Sequence, residues 1–438
     1  MNIQSLKSKL TIKNKFYILL VWILFTSVEP FQFYAIVPFH PYKILVFLVA
    51  SLFFFILLSK GNKLIFDIPA CIIILHVFYS LLAIPIHLAF LDDFSPDDGV
   101  IYINLFLQLI VIFITYIFIT QILSIHVIAV TLIKVMAVMA FLGMVSLFLI
   151  YFFNFQPFSY TVRPGVRDIS NFITTFATGV HDNNFASIVR SAGYFDEPGT
   201  FAYFLTVALL LNKLYGYSKA IEKILVFFGF CTLSLAFMVT LFLYFIIFGI
   251  IEKKYLFIMI FFGVISILTQ LIYIYKEKNE FGKQVYELTM YRLQSDDTGD
   301  KLFNGDNRSE NLSYAYKAFL KAPLFGHGMN AHVNIKNEFY GKLCCNPLHP
   351  IATDGIIGTL IFFLLFIVWG LYIFKGGNVD LISAGAWFII LISLIQRPGF
   401  LAGPFGYFVF IFLFQATKWR KEKLPTVDIY KFNKLEIK

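Results

Sequence analysis

The residues best suited to chemistry fall in two short stretches. The first runs Arg190, Ser191, Ala192, Gly193, Tyr194, Phe195, Asp196, Glu197, Pro198, Gly199 and leads into an apolar run. Pro198 suits a first helical turn, and carboxylates there complement the helix dipole. Capping accounts for Asp196 and Glu197 but not for an arginine at the same membrane edge, which is costly unless used. The second stretch holds Arg308, then Pro323 to Gly328 with His327 between Gly326 and Gly328, then Asn346 to His349, then Asp354, Gly355, Ile356, Ile357, Gly358. A histidine between two glycines can present its imidazole and backbone N–H groups to an anion; taken alone, such a turn is more often an incidental one. Gly355 and Gly358 open an apolar run and allow close helix packing.

Arg163, Arg167 and Arg397 stand at the edges of other apolar runs. With Arg190 and Arg308 they make five arginines on one expected side of a membrane. Arginine pairs bidentately with phosphate oxygens, so together they suit a pyrophosphate lining, whereas each alone reads as an interfacial residue. His76 and His87 lie 11 residues apart, about three helical turns, and read as interhelical hydrogen-bonding groups. No glycine-rich phosphate loop and no zinc-ligand spacing occurs, which disfavours nucleotide-driven chemistry. The pairs Asp92–Asp93, Asp97–Asp98 and Asp296–Asp297 read as solvated loop charge.

Of the 438 residues, 59% are apolar and 14% charged, with 55 phenylalanines and net charge +9; mean hydropathy is +0.78. A soluble domain has roughly 25% charged residues, and a membrane helix needs roughly 20 apolar residues. The chain therefore supplies about a dozen spans. The apolar runs fall at 16–38, 43–59, 64–90, 99–122, 127–153, 199–212, 224–251, 255–275, 350–374, 379–397 and 401–417. Basic residues favour the cytoplasmic side. Lys7, Lys9, Lys13, Lys15 and then Lys60 and Lys63 fix the first turns, and the basic tail from Lys418 marks the last. Run 224–251 has Lys223 before it and Lys253 and Lys254 after it. A single crossing would leave one of these clusters outside, whereas a hairpin of two short helices turning near Ser234 keeps both inside.

The expected fold is thus an all-α polytopic membrane protein of about 12 transmembrane helices, one pair a short hairpin, with both termini cytoplasmic. Its parts are N-terminal helices in 1–153, a first outer loop 154–198, central helices in 199–275, a large outer loop 276–349, C-terminal helices in 350–417 and a basic tail 418–438. Within the large loop, Ser313–Leu320 reads as an amphipathic helix ending before Pro323.

Three features resemble the O-antigen polymerase superfamily, which includes the O-antigen ligases. They are the Arg190–Gly199 segment at the start of a span, Arg308 followed by Pro323–Gly328, and a polar stretch leading into Gly355–Gly358. The resemblance covers about residues 154 to 360. Where the family often has His-Asn ahead of that last helix, this chain has Asn346, Pro347, Leu348, His349. The resemblance implies a glycosyltransferase at the outer face of a bacterial inner membrane. It would move a growing glycan from undecaprenyl pyrophosphate onto an incoming lipid-linked repeat unit. Arg190 and Arg308 would hold the pyrophosphate, with Arg163, Arg167 and Arg397 as further candidates. Glu197 or His349 would be the base, and His327 the next choice. The scheme needs no metal or other cofactor. Partners would be the lipid-linked oligosaccharide as donor and acceptor, membrane lipid and a chain-length regulator, with no nucleic acid. The alternatives are a ligase of the same superfamily and a polysaccharide transporter or flippase without chemistry.

Overall fold

The computed structural model describes residues 12–26, 41–61, 66–91, 94, 96–154, 158–163, 167–171, 178–180, 190–195, 197–291, 294, 309–331, 334–335, 337–343, 346–375, 379–396 and 404–421. Helices follow the apolar runs: α1 Ile12–Thr26 covers the first part of run 16–38, the rest of which lies outside the described residues, and then come α2 Pro41–Ser59, α3 Ile68–Phe90, α4 Pro96–Ile122 and α5 Ile125–Phe153. After a strand segment come α6 Pro198–Tyr215, α7 Lys219–Gly229, α8 Leu235–Ile251, α9 Tyr255–Tyr275, α10 Glu280–Leu288, α11 Ser309–Lys321, α12 His349–Phe374, α13 Leu381–Gln396 and α14 Pro404–Lys421. The helix expected over Ser313–Leu320 is α11, which stops before Pro323 because proline cannot continue it.

Among the described residues, five helical segments are long and apolar enough to cross a membrane: α3, α4, α5, residues 258–275 of α9, and α12. Apolar segments within α2, α8 and α13 are shorter. The count of 12 crossings and the sidedness of the termini rest on the charge clusters alone.

The chain is predominantly helical, as expected, and the 154–198 loop adds one small sheet. Strands β1 Phe158–Arg163, β2 Arg167–Asn171, β3 Thr178–Val180 and β4 Arg190–Ser191 form one antiparallel sheet in the order β1-β2-β3-β4. Their shortness and mixed polarity hide them from an apolar-run reading.

Run 224–251 is two helices rather than one. Ser218 caps α7 by accepting from Ile221 N at 3.4 Å. A single 3-10 turn, Phe230–Thr232, follows α7, and Leu233 then reverses the chain in the left-handed region with φ 44°. The turn is supported by Thr232 Oγ1, which donates to Gly229 O at 2.8 Å. At the far end of the hairpin, Lys213 at the end of α6 forms an ion pair with Glu252, the residue after α8. The start of α7 and the end of α8 therefore lie at one end of the bundle.

Helix α6 is the centre of the molecule. It packs against α5, α7, α8, α13 and α14, and all its residues except Gly199 and Lys213 are buried. A helix apolar around its whole circumference needs such complete covering.

Helix directions follow from end contacts. His126, in the first turn of α5, has its Nδ1 2.9 Å from Tyr215 Oη at the end of α6. Trp419, in the last turn of α14, packs against both rings. Lys421 Nζ donates to Tyr372 O at 2.9 Å and Ile373 O at 3.1 Å at the end of α12. Helices α6, α12 and α14 therefore finish at one end of the bundle, and α6 and α12 both start toward the other.

Candidate functional site

The Arg190–Gly199 stretch enters the bundle rather than lying over it. Ser191 sits against α5 at Gly143, where a Cβ would come within 2.1 Å of its Oγ. Gly143 is ten residues before the end of α5, about 15 Å along the helix. The chain turns at Gly193, which has φ +58°, and Phe195 N donates to Ala192 O at 3.0 Å. The Phe195 ring then stacks on Phe201 and Phe204 with centroids at 5.6 and 4.7 Å. This anchors the turn to the first two turns of α6. Arg190 and Glu197 are both buried, at 9% and 8% exposure. Burial pushes the Tyr194 hydroxyl pKa up.

Glu197 occupies the N-cap of α6 without a side-chain capping bond. Its Oε1 accepts from Thr200 Oγ1 at 3.4 Å. The carboxylate thus stands at the positive end of the α6 dipole without closing a backbone cap. A small cavity lined by Gly199, Tyr203, Thr206, Phe237, Thr240 and Ser393 lies between α6, α8 and α13.

The second stretch forms a separate unit on α3, α4 and α12. Helix α12 is broken at Gly355, whose φ of 62° and ψ of −169° are not helical. The Pro323–Gly328 segment threads across this break. His327 N donates to Ala352 O at 3.0 Å and Gly328 N to Thr353 O at 2.8 Å. In return, Ile356 N donates to Pro323 O at 2.9 Å and Ile357 N to Leu324 O at 3.2 Å. The segment thus supplies the backbone partners that the interrupted helix lacks. The crossing is so close that a Cβ on Gly326 would meet Thr353 O at 2.4 Å, and one on Gly355 would meet Leu324 O at 2.3 Å.

Both candidate histidines belong to this unit. His327 Nε2 is 3.1 Å from Ala318 O, and His349 Nδ1 is 2.7 Å from Leu343 O. A carbonyl only accepts, so each of these nitrogens carries the proton, and the neutral ring keeps its lone pair on the other one: Nδ1 of His327, Nε2 of His349. Asn346 is fully buried, donating to Leu343 O at 2.9 Å and accepting from Leu348 N at 2.9 Å. Its amide shapes the turn that delivers His349. A small core of Ala315, Ala318, Ala331, Phe339, Leu343 and Ala352 ties α11 to the start of α12.

Below His349 lies Asp354, 3% exposed. Thr353 Oγ1 lies 2.8 Å from its Oδ2. The hydroxyls of Tyr79 on α3 and Tyr102 on α4 each reach its Oδ1 at 3.5 Å. Tyr102 Oη also accepts from Met329 N at 3.3 Å. His87 Nε2 donates to Phe325 O at 2.8 Å, and His76 Nδ1 lies 2.7 Å from Tyr407 Oη. His76 thus bonds another helix, α14, as expected, whereas His87 bonds a loop carbonyl. The carboxylate cluster itself was not read from the sequence. Tyr79, three residues after His76 and on the same face, was the available signal.

The structure brings Arg190 and Glu197 together on one segment and His327 and His349 together on another. Both segments lie at the same end of the bundle, where α6 and α12 begin. Arg163 ends β1 and Arg167 begins β2, and the two are register partners across that turn. Arg308 and Arg397 lie outside the described residues. Compared with known proteins, the chain matches no family model, no curated protein and no solved structure.

Proposed function

We propose that this chain is a polysaccharide repeat-unit polymerase, of the O-antigen or capsule kind, in a bacterial inner membrane. The observation that carries the reading is that the Arg190–Glu197 and His327–His349 segments, far apart in sequence, sit at the starts of α6 and α12 at one end of a helical bundle. That is the placement a transfer between two lipid-linked substrates needs.

In this reaction the bond between the sugar anomeric carbon and the donor pyrophosphate oxygen breaks. A bond forms from that carbon to a hydroxyl oxygen of the incoming unit. The hydroxyl proton passes to a base, Glu197 or His349, and undecaprenyl pyrophosphate departs with the bonding electron pair. Arg190 and Arg308 neutralise charge developing on the pyrophosphate, with Arg163, Arg167 and Arg397 as further cationic groups. His349 is the better placed histidine, because its turn is fixed by Asn346 while His327 braces the loop crossing. The test is the surface glycan of a deletion strain. Single repeat units in place of long chains are expected, and unchanged long chains would refute the proposal.

A second reading, a transporter, is favoured by Asp354, a carboxylate buried inside a span as in ion-coupled carriers. Loss of a flippase leaves no repeat units outside the cell, so the same deletion separates the two. A ligase differs from both in leaving long chains unattached to their final acceptor.

A further inference from the structure

We infer that Asp354 is a positioning residue: a hydrogen-bond hub, acting without its charge, that holds the His349 turn and the 323–329 loop in one arrangement. The inference rests on the proposed role of His349 as a base.

Three observations carry it. The first is the set of partners. A buried carboxylate is costly unless its oxygens are satisfied. Among the described residues, those of Asp354 meet only hydroxyls, one each from α3, α4 and its own helix. No cationic side chain touches it among those residues.

The second is the count of hydrogens. Tyr102 Oη accepts the Met329 N–H, which leaves its own hydrogen for Asp354 Oδ1. Tyr79 Oη lies 3.4 Å from Asp354 O and 3.5 Å from Oδ1, so its single hydrogen is shared between backbone and side chain. Thr353 Oγ1 lies 2.8 Å from Asp354 Oδ2 and 3.0 Å from His349 O. Its one hydrogen goes to His349 O, which can only accept, and it accepts from the uncharged carboxyl at Oδ2, so it links that carboxyl to the residue that would act as base.

The third is position. Asp354 immediately precedes the break at Gly355, where the helix takes its backbone bonds from the 323–328 segment instead of from itself. A break of this kind needs bracing from outside the helix, and the hub braces it from α3 and α4 at once. Gly358, one turn on, leaves the space that Tyr79 Oη fills: a Cβ there would lie 2.2 Å from it.

A hub requires acceptors for two tyrosines and a partner for Thr353. Asparagine supplies all of these, through its carbonyl oxygen and its amide donor. A residue acting by charge or by taking a proton does not survive that exchange.

The experiment uses full-length wild type, D354N, D354A, T353V and T353S in lipid nanodiscs. One readout is amide hydrogen exchange over 323–329 and 349–357. The other is kcat and KM for extending an undecaprenyl-pyrophosphate-linked repeat unit. D354N is expected to keep wild-type protection and a kcat within about threefold. D354A is expected to lose protection in both segments and at least about tenfold in kcat, with KM changed by no more than about twofold. Should D354A fail to accumulate, T353V carries the same expectation for 349–357, and T353S restores both readouts. Wild-type protection with lost kcat in D354N would overturn the hub, as would unchanged protection in D354A and T353V. If the wild type extends no lipid-linked unit, the polymerase reading fails, and the hub is judged by exchange alone.

Discussion

Lys213, in the last turn of α6, and Glu252, just beyond the end of α8, form an ion pair. Lys254 joins them through the other carboxylate oxygen. The chain between Lys213 and Glu252 leaves this point and comes back to it. Reporters fused after Tyr217 and after Lys253 are therefore expected to read the same side of the membrane. Opposite signals would mean that residues 219–251 cross once, and the hairpin would be wrong.

The same pair has a pH signature. Burial pushes the Glu252 carboxyl up, but hydrogen bonds and charge from Lys213 and Lys254 outweigh it and hold the pKa below its usual value near 4.5. A depressed carboxylate pKa stabilises the fold above the unfolded value and loses that contribution as pH falls through the folded one. E252Q should lower stability by about 1 kcal/mol at neutral pH, the scale of a partly exposed ion pair. Melting curves of the two proteins in detergent should converge as pH falls below about 4.5. A pH-independent gap would remove the ion pair as its cause.

The loop crossing gives a test of packing. Gly326 and Gly355 have φ of +71° and +62°, and each faces backbone at less than 2.5 Å from a built Cβ. Alanine at either site is both strained and obstructed, and should cost about 3 kcal/mol or more. Gly263 in α9 has open space around it and no unusual φ, so G263A should be neutral or stabilise by up to about 1 kcal/mol. Abundance and melting temperature of the three variants check this, and equal behaviour would rule out the crossing geometry.

The chemical reading is tested at Arg190 and Glu197. R190A and E197Q are expected to leave single repeat units at the surface, with protein abundance near wild type. R308A, altering a residue outside the described region, is expected to do the same. Long-chain glycan in R190A and E197Q alike would exclude this segment from the mechanism.

Much of the scaffold was legible in the sequence. The run 255–275 is α9 with identical bounds, 199–212 lies within α6, and 350–374 is α12 with one residue added. His76 does bond another helix. The turn near Ser234 falls one residue from Leu233, where the chain reverses. These features are local: apolar length, a helical face, and basic residues at the ends of apolar runs.

The small sheet and the Asp354 cluster were not legible. Strands of two to six residues carry too little pattern to stand out within a polar segment. Asp354 meets Tyr79 across 275 residues and Tyr102 across 252, and no spacing rule links positions so distant.

The sequence by itself determined where the helices run and where the chain turns, because a bilayer demands roughly 20 apolar residues per span and internally bonded backbone throughout. Only the tertiary structure decided that the Pro323–Gly328 loop mends the broken start of α12, and that Asp354 is met by hydroxyls and not by a cation. Those pairings depend on which helices lie side by side, and packing among helices of similar composition is chosen by the whole assembled surface.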